Sequence, residues 1–310
     1  MKKGMKIAVF SYSQTGQALS AVQHICQPLE ATANKGEEEN QVIYKEIIPL
    51  QDFPFPWSKD EFFDIFPETR LGIPLYGIRS IDFSDIEDAD LVIVAGQSWF
   101  LSPSQPLQSF FADSEVRSFL SGRDVIFVNA CRNMWLMTSR WVKAYMQEVN
   151  AHLVGHIVLQ DEAPNLISVI TVIRWLMYGK KKGTRLLPDA GVSDSNIKGA
   201  SRFGILIQNL WTQGDFSHLQ NQFLSIGAIK YKPSILFLER AGYRTFGLWA
   251  KFIRRKGEYK DARRRCRINL FYGYLLFALF VVSPFAQLLF WLTYPLQQVA
   301  RHQREDCACI

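Results

Sequence analysis

Charge is scarce in this sequence: 21% of its 310 residues are charged against 48% hydrophobic, a balance that excludes wholesale disorder. Cysteine is sparse too. Cys26, Cys131, Cys266, Cys307 and Cys309 are odd in number and lack metal-ligand spacing, which fits a reducing compartment and predicts no metal site. Neither the dinucleotide fingerprint G-x-G-x-x-G nor the Gly-Lys-Ser/Thr ending of a nucleoside-triphosphate loop occurs, and there is no internal repeat. The opening MKKGMKIAVFSY has too short an apolar run for a secretory signal. Cys307-Ala308-Cys309-Ile310 resembles a prenylation box only superficially, since a membrane segment already precedes it.

The net charge of +6 is unevenly distributed. Lys180, Lys181, Lys182 and Arg185 form one basic cluster, and the run from Lys251 to Arg267 forms a second. Directly after Arg267 comes an uncharged stretch, 268–300. About 20 apolar residues suffice to cross a bilayer, so this stretch can form a tilted span or a hairpin dipping in and out at Pro284. Tyr272, Tyr274, Trp291 and Tyr294 lie towards its ends, where amphipathic rings favour the membrane interface. The arginines upstream would meet anionic cytoplasmic lipid. This pattern predicts a protein on the cytoplasmic face of the inner membrane, with 216–267 as a basic juxtamembrane linker and no nucleic-acid partner.

The rest alternates. Apolar runs at 6–12, 41–48, 89–95, 124–130 and 151–160 predict strands, with helices at 16–33, 104–112 and 135–149. On the first helix Ala18, Leu19, Val22, Ile25, Cys26 and Leu29 share a stripe. Such alternation predicts an α/β fold, a doubly wound five-stranded parallel sheet over 1–160 with a helical, membrane-associated C-terminal extension. Two stretches stand outside it. The connector 49–84 is long, aromatic and carries Pro54, Pro56, Pro67 and Pro74, which marks it as a functional, lid-like loop. The insertion and closing helix, 161–215, contain the apolar run LISVITVIRWLMYGKKK, suited to a membrane surface or to packing on the C-terminal segment.

Ligands of such sheets bind beyond the carboxyl ends of the strands, where the turns after strands one, three and four meet. The first turn, SYSQTGQ, offers hydroxyls at Ser11, Ser13 and Thr15, the Gln14 amide, and N–H groups leading into a helix. That donor set suits a phosphate dianion without a lysine, although helix capping uses the same residues. The second, GQSWFLSPSQPLQSFF from Gly96, brings Trp99 and Phe100, with Gly96 read as permitting an unusual backbone angle. The third, NACRNMWL from Asn129, brings Trp135. Together they describe a slot for a flat ring joined to a phosphate.

YSQTG after the first strand and GQSWFLSPSQPLQSFF after the third resemble the flavodoxin family over about residues 5–160. The resemblance implies bound FMN. Its phosphate would lie on Ser11, Ser13, Gln14, Thr15, Gly16 and Gln17. Its isoalloxazine would lie between Ser98, Trp99 and Phe100 on one side and Asn129, Cys131 and Trp135 on the other. Ala18 departs from the usual phosphate-contacting threonine, Ser98 from the usual proline, and the third loop lacks the usual glycines. A narrower resemblance spans nearly the whole chain. YSQTGQ, the connector FPWSKDEFFDIFPETRLGIP and the basic and apolar extension are similar to flavodoxin-like enzymes of dialkylresorcinol and flexirubin-type pigment pathways, the dialkylresorcinol-condensing enzymes. That resemblance implies an aromatase converting an alkylated cyclohexane-1,3-dione carboxylate, supplied by a ketosynthase partner, to a resorcinol.

Aromatising such a dione removes two electrons and two protons, and a flavin accepts a hydride in one step. The dione with its alkyl chains is lipid-like, which agrees with the apolar tail. For the reaction the connector supplies Asp64, Glu68 and Arg70, while Arg132 and Asn133 can polarise a dione oxygen or hold a carboxylate. His24, His152 and His156 read as core or surface residues. Two other functions remain open: a membrane-bound NAD(P)H or quinone oxidoreductase, and a non-catalytic electron carrier or scaffold.

Overall fold

The computed structural model describes residues 4–30, 39–213, 216 and 218–293. Tyr294, the rest of the apolar stretch and the Cys307–Cys309 motif lie outside the described residues. The elements run β1 (Lys6–Ser11), α1 (Gln17–Glu30), β2 (Gln41–Glu46), α2 (Lys59–Asp64), α3 (Phe66–Leu71), β3 (Leu91–Trp99), β4 (Ser102–Pro103), α4 (Gln105–Ala112) and α5 (Ser114–Leu120). They continue with β5 (Asp124–Cys131), α6 (Leu136–Glu148), β6 (His152–Gln160), α7 (Asn165–Tyr178), α8 (Asp194–Lys198), α9 (Ser201–Gln213), α10 (Leu219–Ser225) and α11 (Pro233–Arg254). A final helical stretch comprises a 3-10 turn (Ala262–Arg264), α12 (Arg265–Phe277), a π turn (Ala278–Val282) and α13 (Ser283–Thr293).

Parallel pairing orders the sheet β2-β1-β3-β5-β6. With the two-residue β4 set aside, this is the flavodoxin-like doubly wound order, with its switch point between β1 and β3. Alternate residues explain its two faces. Ile7, Val9, Ile93, Ile126 and Val128 join α1, α9 and α10 in one core, while Ala8, Phe10, Val92, Val125 and Phe127 join α4, α5 and α6 in another. β2 and β6 are the edge strands, and of the two β2 is the more exposed.

Three local differences from the sequence reading have physical causes. Gly96 takes no left-handed backbone angle. It sits inside β3 because a Cβ there would lie 2.4 Å from Leu107 Cδ1, so glycine lets α4 approach the sheet. β4, which the sequence did not suggest, turns back on β3 as a two-residue hairpin whose tip is Phe100-Leu101. Finally, 216–267 is no linker: it folds into α10 and the 22-residue α11.

The connector is ordered by its own chemistry. Ser58 and Glu61 form a capping box at the start of α2, and Gly72, at φ 73°, closes α3 in the left-handed conformation that glycine tolerates. Phe63 and Phe66 then bury themselves with Ala250, Ile253, Ile268 and Phe271.

Candidate functional site

The first loop begins where the Tyr12 N–H donates to Ala95 O at 3.0 Å, binding the ends of β1 and β3 together at the switch point. The chain then turns through Gly16, at φ 79° and exposed, into α1. Ser13 Oγ accepts from the Ala18 N–H at 3.0 Å, a capping role. The backbone N–H groups of Ser13, Gln14, Thr15, Gly16 and Gln17 find no acceptor among the described residues. Five free donors at the amino end of a 14-residue helix form a cradle for an anion.

The two amides of this loop do a different job from the one expected. Gln14 Nε2 donates to Pro54 O at 3.1 Å, and Gln14 Oε1 accepts from Trp57 Nε1 at 3.1 Å, which fastens the connector over the loop. Gln17 is buried and pairs both ways with Val192, Nε2 to O at 2.6 Å and N–H to Oε1 at 3.1 Å. Gly191, at φ 81°, is what allows this: a Cβ there would lie 2.3 Å from Gln17 Oε1. Engaged by Pro54, Trp57 and Val192, neither amide is free for a phosphate. Ser11 is buried as the last residue of β1, which leaves Ser13, Thr15 and the N–H groups as the reachable donors.

The second loop is the β3–β4 hairpin. Phe100 and Leu101 sit at φ 49° and 62°, the primed-turn pattern that normally selects Asn-Gly. Packing holds these bulky residues there: Phe100 lies 4.8 Å from the Phe62 ring and 5.2 Å from Phe66, and Leu101 packs beside the Trp135 cluster. Trp99 stands edge-on to Tyr12, Phe53 and Trp57 at 6.2, 5.4 and 5.6 Å, an aromatic wall beside the first loop. Burial, with Asp52 nearby, pushes the Tyr12 phenol well up and keeps it neutral. Ser98 Oγ donates to Asn129 Oδ1 at 3.1 Å, while the buried Asn129 Nδ2 has no partner. An orphaned buried amide costs about 1–3 kcal/mol, which a ligand oxygen at this position would recover.

The third loop departs most from expectation. Trp135 is 1% exposed and packs with Cys131, Leu136, Met137, Val158 and Leu236, so its ring belongs to the core and does not face a slot. Cys131, expected beside the flavin ring, is likewise buried in this cluster, and burial pushes its thiol well up. Glu239 of α11, unforeseen in the sequence, accepts from the Trp135 N–H at 3.1 Å and the Met137 N–H at 2.8 Å, capping α6 from another element. Burial raises its pKa to about 7, against the opposing pull of those N–H groups and Arg132. His156, fully buried against Phe127, is lowered to about 3 by burial and bonds Ser139 Oγ.

Arg132 and Asn133 do come together. Arg132 Nη1 donates to Asn165 Oδ1 at 2.8 Å and Asn133 Nδ2 to the same oxygen at 2.9 Å, while the buried Asn133 Oδ1 has no partner. Burial lowers the Arg132 pKa to about 10, with Asp161 opposing, so it stays charged at neutral pH. Asp64 and Glu68 are elsewhere engaged. The buried Arg264 binds Glu68 at 2.7 Å and Asp64 at 2.7 Å, and Arg254 adds a bond to Glu68 at 2.9 Å. Both carboxylates, expected as a base, are instead structural partners of the basic run. Arg70 lies over the Tyr243 ring at 3.3 Å and donates to the Tyr243 carbonyl.

An open groove of about 890 Å³ lies at the opposite, amino edge of the sheet, lined among others by Asp82, Phe83, Glu87, Ser118 and Arg123. It shares no residue with these loops. The carboxyl edge, where the strand order reverses, remains the candidate site.

No protein-family model matches the sequence, and no curated protein does. Several solved structures show a partial likeness. A flavodoxin, WrbA-like protein from Agrobacterium tumefaciens is 11% identical, with 68% of this chain and 100% of that one covered at a TM-score of 0.40. An azoreductase from Bacillus anthracis is 9% identical, with 64% and 99% covered at 0.35. Flavodoxin 2 from Bacillus cereus is 15% identical, with 64% and 95% covered at 0.35. The strand order, independently of these likenesses, makes this chain a flavodoxin-like α/β protein with a helical extension.

Proposed function

We propose that the chain is an FMN-dependent oxidoreductase that aromatises an alkylated cyclohexane-1,3-dione to a dialkylresorcinol at the membrane, the carboxylate of a dione carboxylate leaving as carbon dioxide, with a ketosynthase as the partner that supplies the dione. The observation that carries the flavin reading is the cradle of five unpaired N–H groups, Ser13 to Gln17, beside the wall of Tyr12, Phe53, Trp57 and Trp99. A phosphate fits the cradle, with the Thr15 and Ser13 hydroxyls as further donors. A flat ring fits beside Trp99, with the orphaned Asn129 Nδ2 as a donor to one of its oxygens.

FMN, when bound, supplies a two-electron hydride acceptor. The chain's own residues bind and orient. Arg132 and Asn133 hold the anionic or carbonyl end of the substrate, and the aromatic wall excludes water. The carbon that loses the proton lies next to a carbonyl, so a modest base suffices; Asp64 and Glu68, held by arginines, are not that base.

The visible spectrum of the detergent-purified protein tests the reading. Flavin absorbance, present or restored by adding FMN, is expected, and its absence after FMN addition rejects the flavin. Anaerobic addition of a synthetic dialkyl cyclohexanedione is then expected to bleach the flavin and yield the resorcinol. Bleaching by NAD(P)H but not by the dione would favour a nicotinamide-linked oxidoreductase instead.

A further inference from the structure

We propose that the long apolar helix does not cross the bilayer but lies flat in one anionic leaflet, bringing the carboxyl edge of the sheet against lipid. The inference goes beyond the flavin reading and does not depend on it. Ala262–Thr293 is one helical stretch of 32 residues, about 48 Å at 1.5 Å per residue, against a hydrocarbon core of about 30 Å. Length and composition alone permit a span. The contacts oppose one.

The stretch touches the folded body at its start, middle and end. Near its start, Phe271 stacks on Phe66 at 3.9 Å and 8°, and Tyr272 meets Phe63 at 5.1 Å. In the middle, Ser283 Oγ accepts from Asn165 Nδ2 at 3.4 Å, at the first turn of α7 and next to the Arg132–Asn133 pair. At its end, Phe290 meets Phe237 of α11 at 5.7 Å. An upright span would stand clear of the domain, whereas here Ile268, Phe271, Ser283 and Phe290 are buried against it at separate points along the stretch.

The other side is apolar. Leu270, Phe277, Phe285, Leu288 and Leu292 are 57–69% exposed, and Phe280 and Val281 are exposed beside them. Val282, Leu289 and Trp291 are exposed as well, so the uncovered part of the stretch is apolar throughout. α7 adds Ile170 and Ile173, also exposed.

Charge identifies the occupant. Exposed Lys251, Arg255, Lys256 and Arg265 gather at the α11–α12 turn, and Lys180, Lys182 and Arg185 follow α7. Tyr259 of that turn and Leu176 and Met177 at the end of α7 pack on one cluster, Phe53, Trp57 and Ile65, which brings the two basic clusters towards the same end of the apolar stretch. The domain contacts and the cations beside the apolar stretch, and not its composition, favour an in-plane helix on anionic lipid, its apolar side about 5–10 Å into the boundary region.

Single-cysteine variants at 270, 277, 281, 288 and 292, made in the full-length chain and spin-labelled, test this on phosphatidylglycerol–phosphatidylethanolamine vesicles by oxygen and nickel power saturation. The expected result is one shallow depth for all five. A profile deepest near 281 and shallow at both ends overturns the proposal in favour of a span, and five water-exposed labels overturn lipid as the partner. As a second measurement, Phe285→Glu combined with Leu288→Glu is expected to reduce vesicle co-sedimentation at least tenfold with the flavin spectrum intact; undiminished co-sedimentation also overturns the proposal. Shallow labels and intact vesicle binding in a wild-type protein that takes up no FMN would instead reject only the functional reading.

Discussion

Glu68 and Arg264, 196 residues apart, meet in an ion pair of 2.7 Å with neither side chain exposed to solvent. This pair ties the connector above the candidate site to the start of the apolar helix. Truncating one partner leaves a buried charge uncompensated, so Glu68→Ala or Arg264→Ala should lower unfolding free energy by about 3–5 kcal/mol in urea titrations. Joint replacement by Glu68→Leu and Arg264→Met should recover most of that loss. If Glu68 acted instead as the catalytic base, the double variant would fold yet lose the aromatase reaction entirely.

A phosphate is the proposed occupant of the N–H cradle, and riboflavin has none. FMN should therefore bind at least tenfold more tightly than riboflavin, about 1.4 kcal/mol or more. Gly16→Val, which forces a β-branched residue to φ 79°, should erase most of that difference while barely changing riboflavin binding. Fluorescence quenching titrations of both flavins on both proteins measure it.

Glu239 gives the fold a pH signature. Its native pKa of about 7 exceeds the ordinary carboxyl value of 4.5, so between those pH values the native state holds a proton that the unfolded chain has released. Stability from this group is therefore full below about pH 4.5 and falls as pH rises towards 7, by on the order of 3 kcal/mol at most. The neighbours that oppose the shift are Arg132 and the N–H groups of residues 135–137. Glu239→Gln should flatten this dependence in denaturation curves recorded from pH 5 to 8, and an unchanged slope would assign it to other groups.

Gly96 and Leu107 should couple. Gly96→Ala places a Cβ about where Leu107 Cδ1 lies, so it should destabilise by about 1–3 kcal/mol. Leu107→Ala alone should cost about 2–5 kcal/mol as a cavity. The double variant should lose less than the sum, and a double-mutant cycle from thermal melts reads the difference.

The parallel strands were legible because each was a short apolar run between turn residues, and β1, β3, β5 and β6 lie within a few residues of their expected bounds. The β3–β4 hairpin was not legible, since Phe100-Leu101 carries none of the Asn-Gly chemistry that announces such a turn. Nor was the fate of Trp135, because an aromatic residue after a strand looks the same whether its ring lines a slot or fills the core. Charge misled in a similar way: Arg264 reads as one more juxtamembrane cation, yet it is buried against Asp64 and Glu68.

What the sequence determined by itself is what short-range pattern can encode. The strand and helix periods, the glycine turn into α1 and the charge-free tail follow from residue order, because backbone propensity and hydrophobic spacing act within a few residues. Tertiary structure alone decided which donors stay free. Gln14 and Gln17 were claimed by Pro54, Trp57 and Val192, while the N–H groups of Ser13 to Gln17 were left open. It also laid the apolar helix along the domain through Phe66, Asn165 and Phe237. Those outcomes depend on partners tens to hundreds of residues away, and a buried polar group is satisfied by whichever partner the fold brings within hydrogen-bond distance.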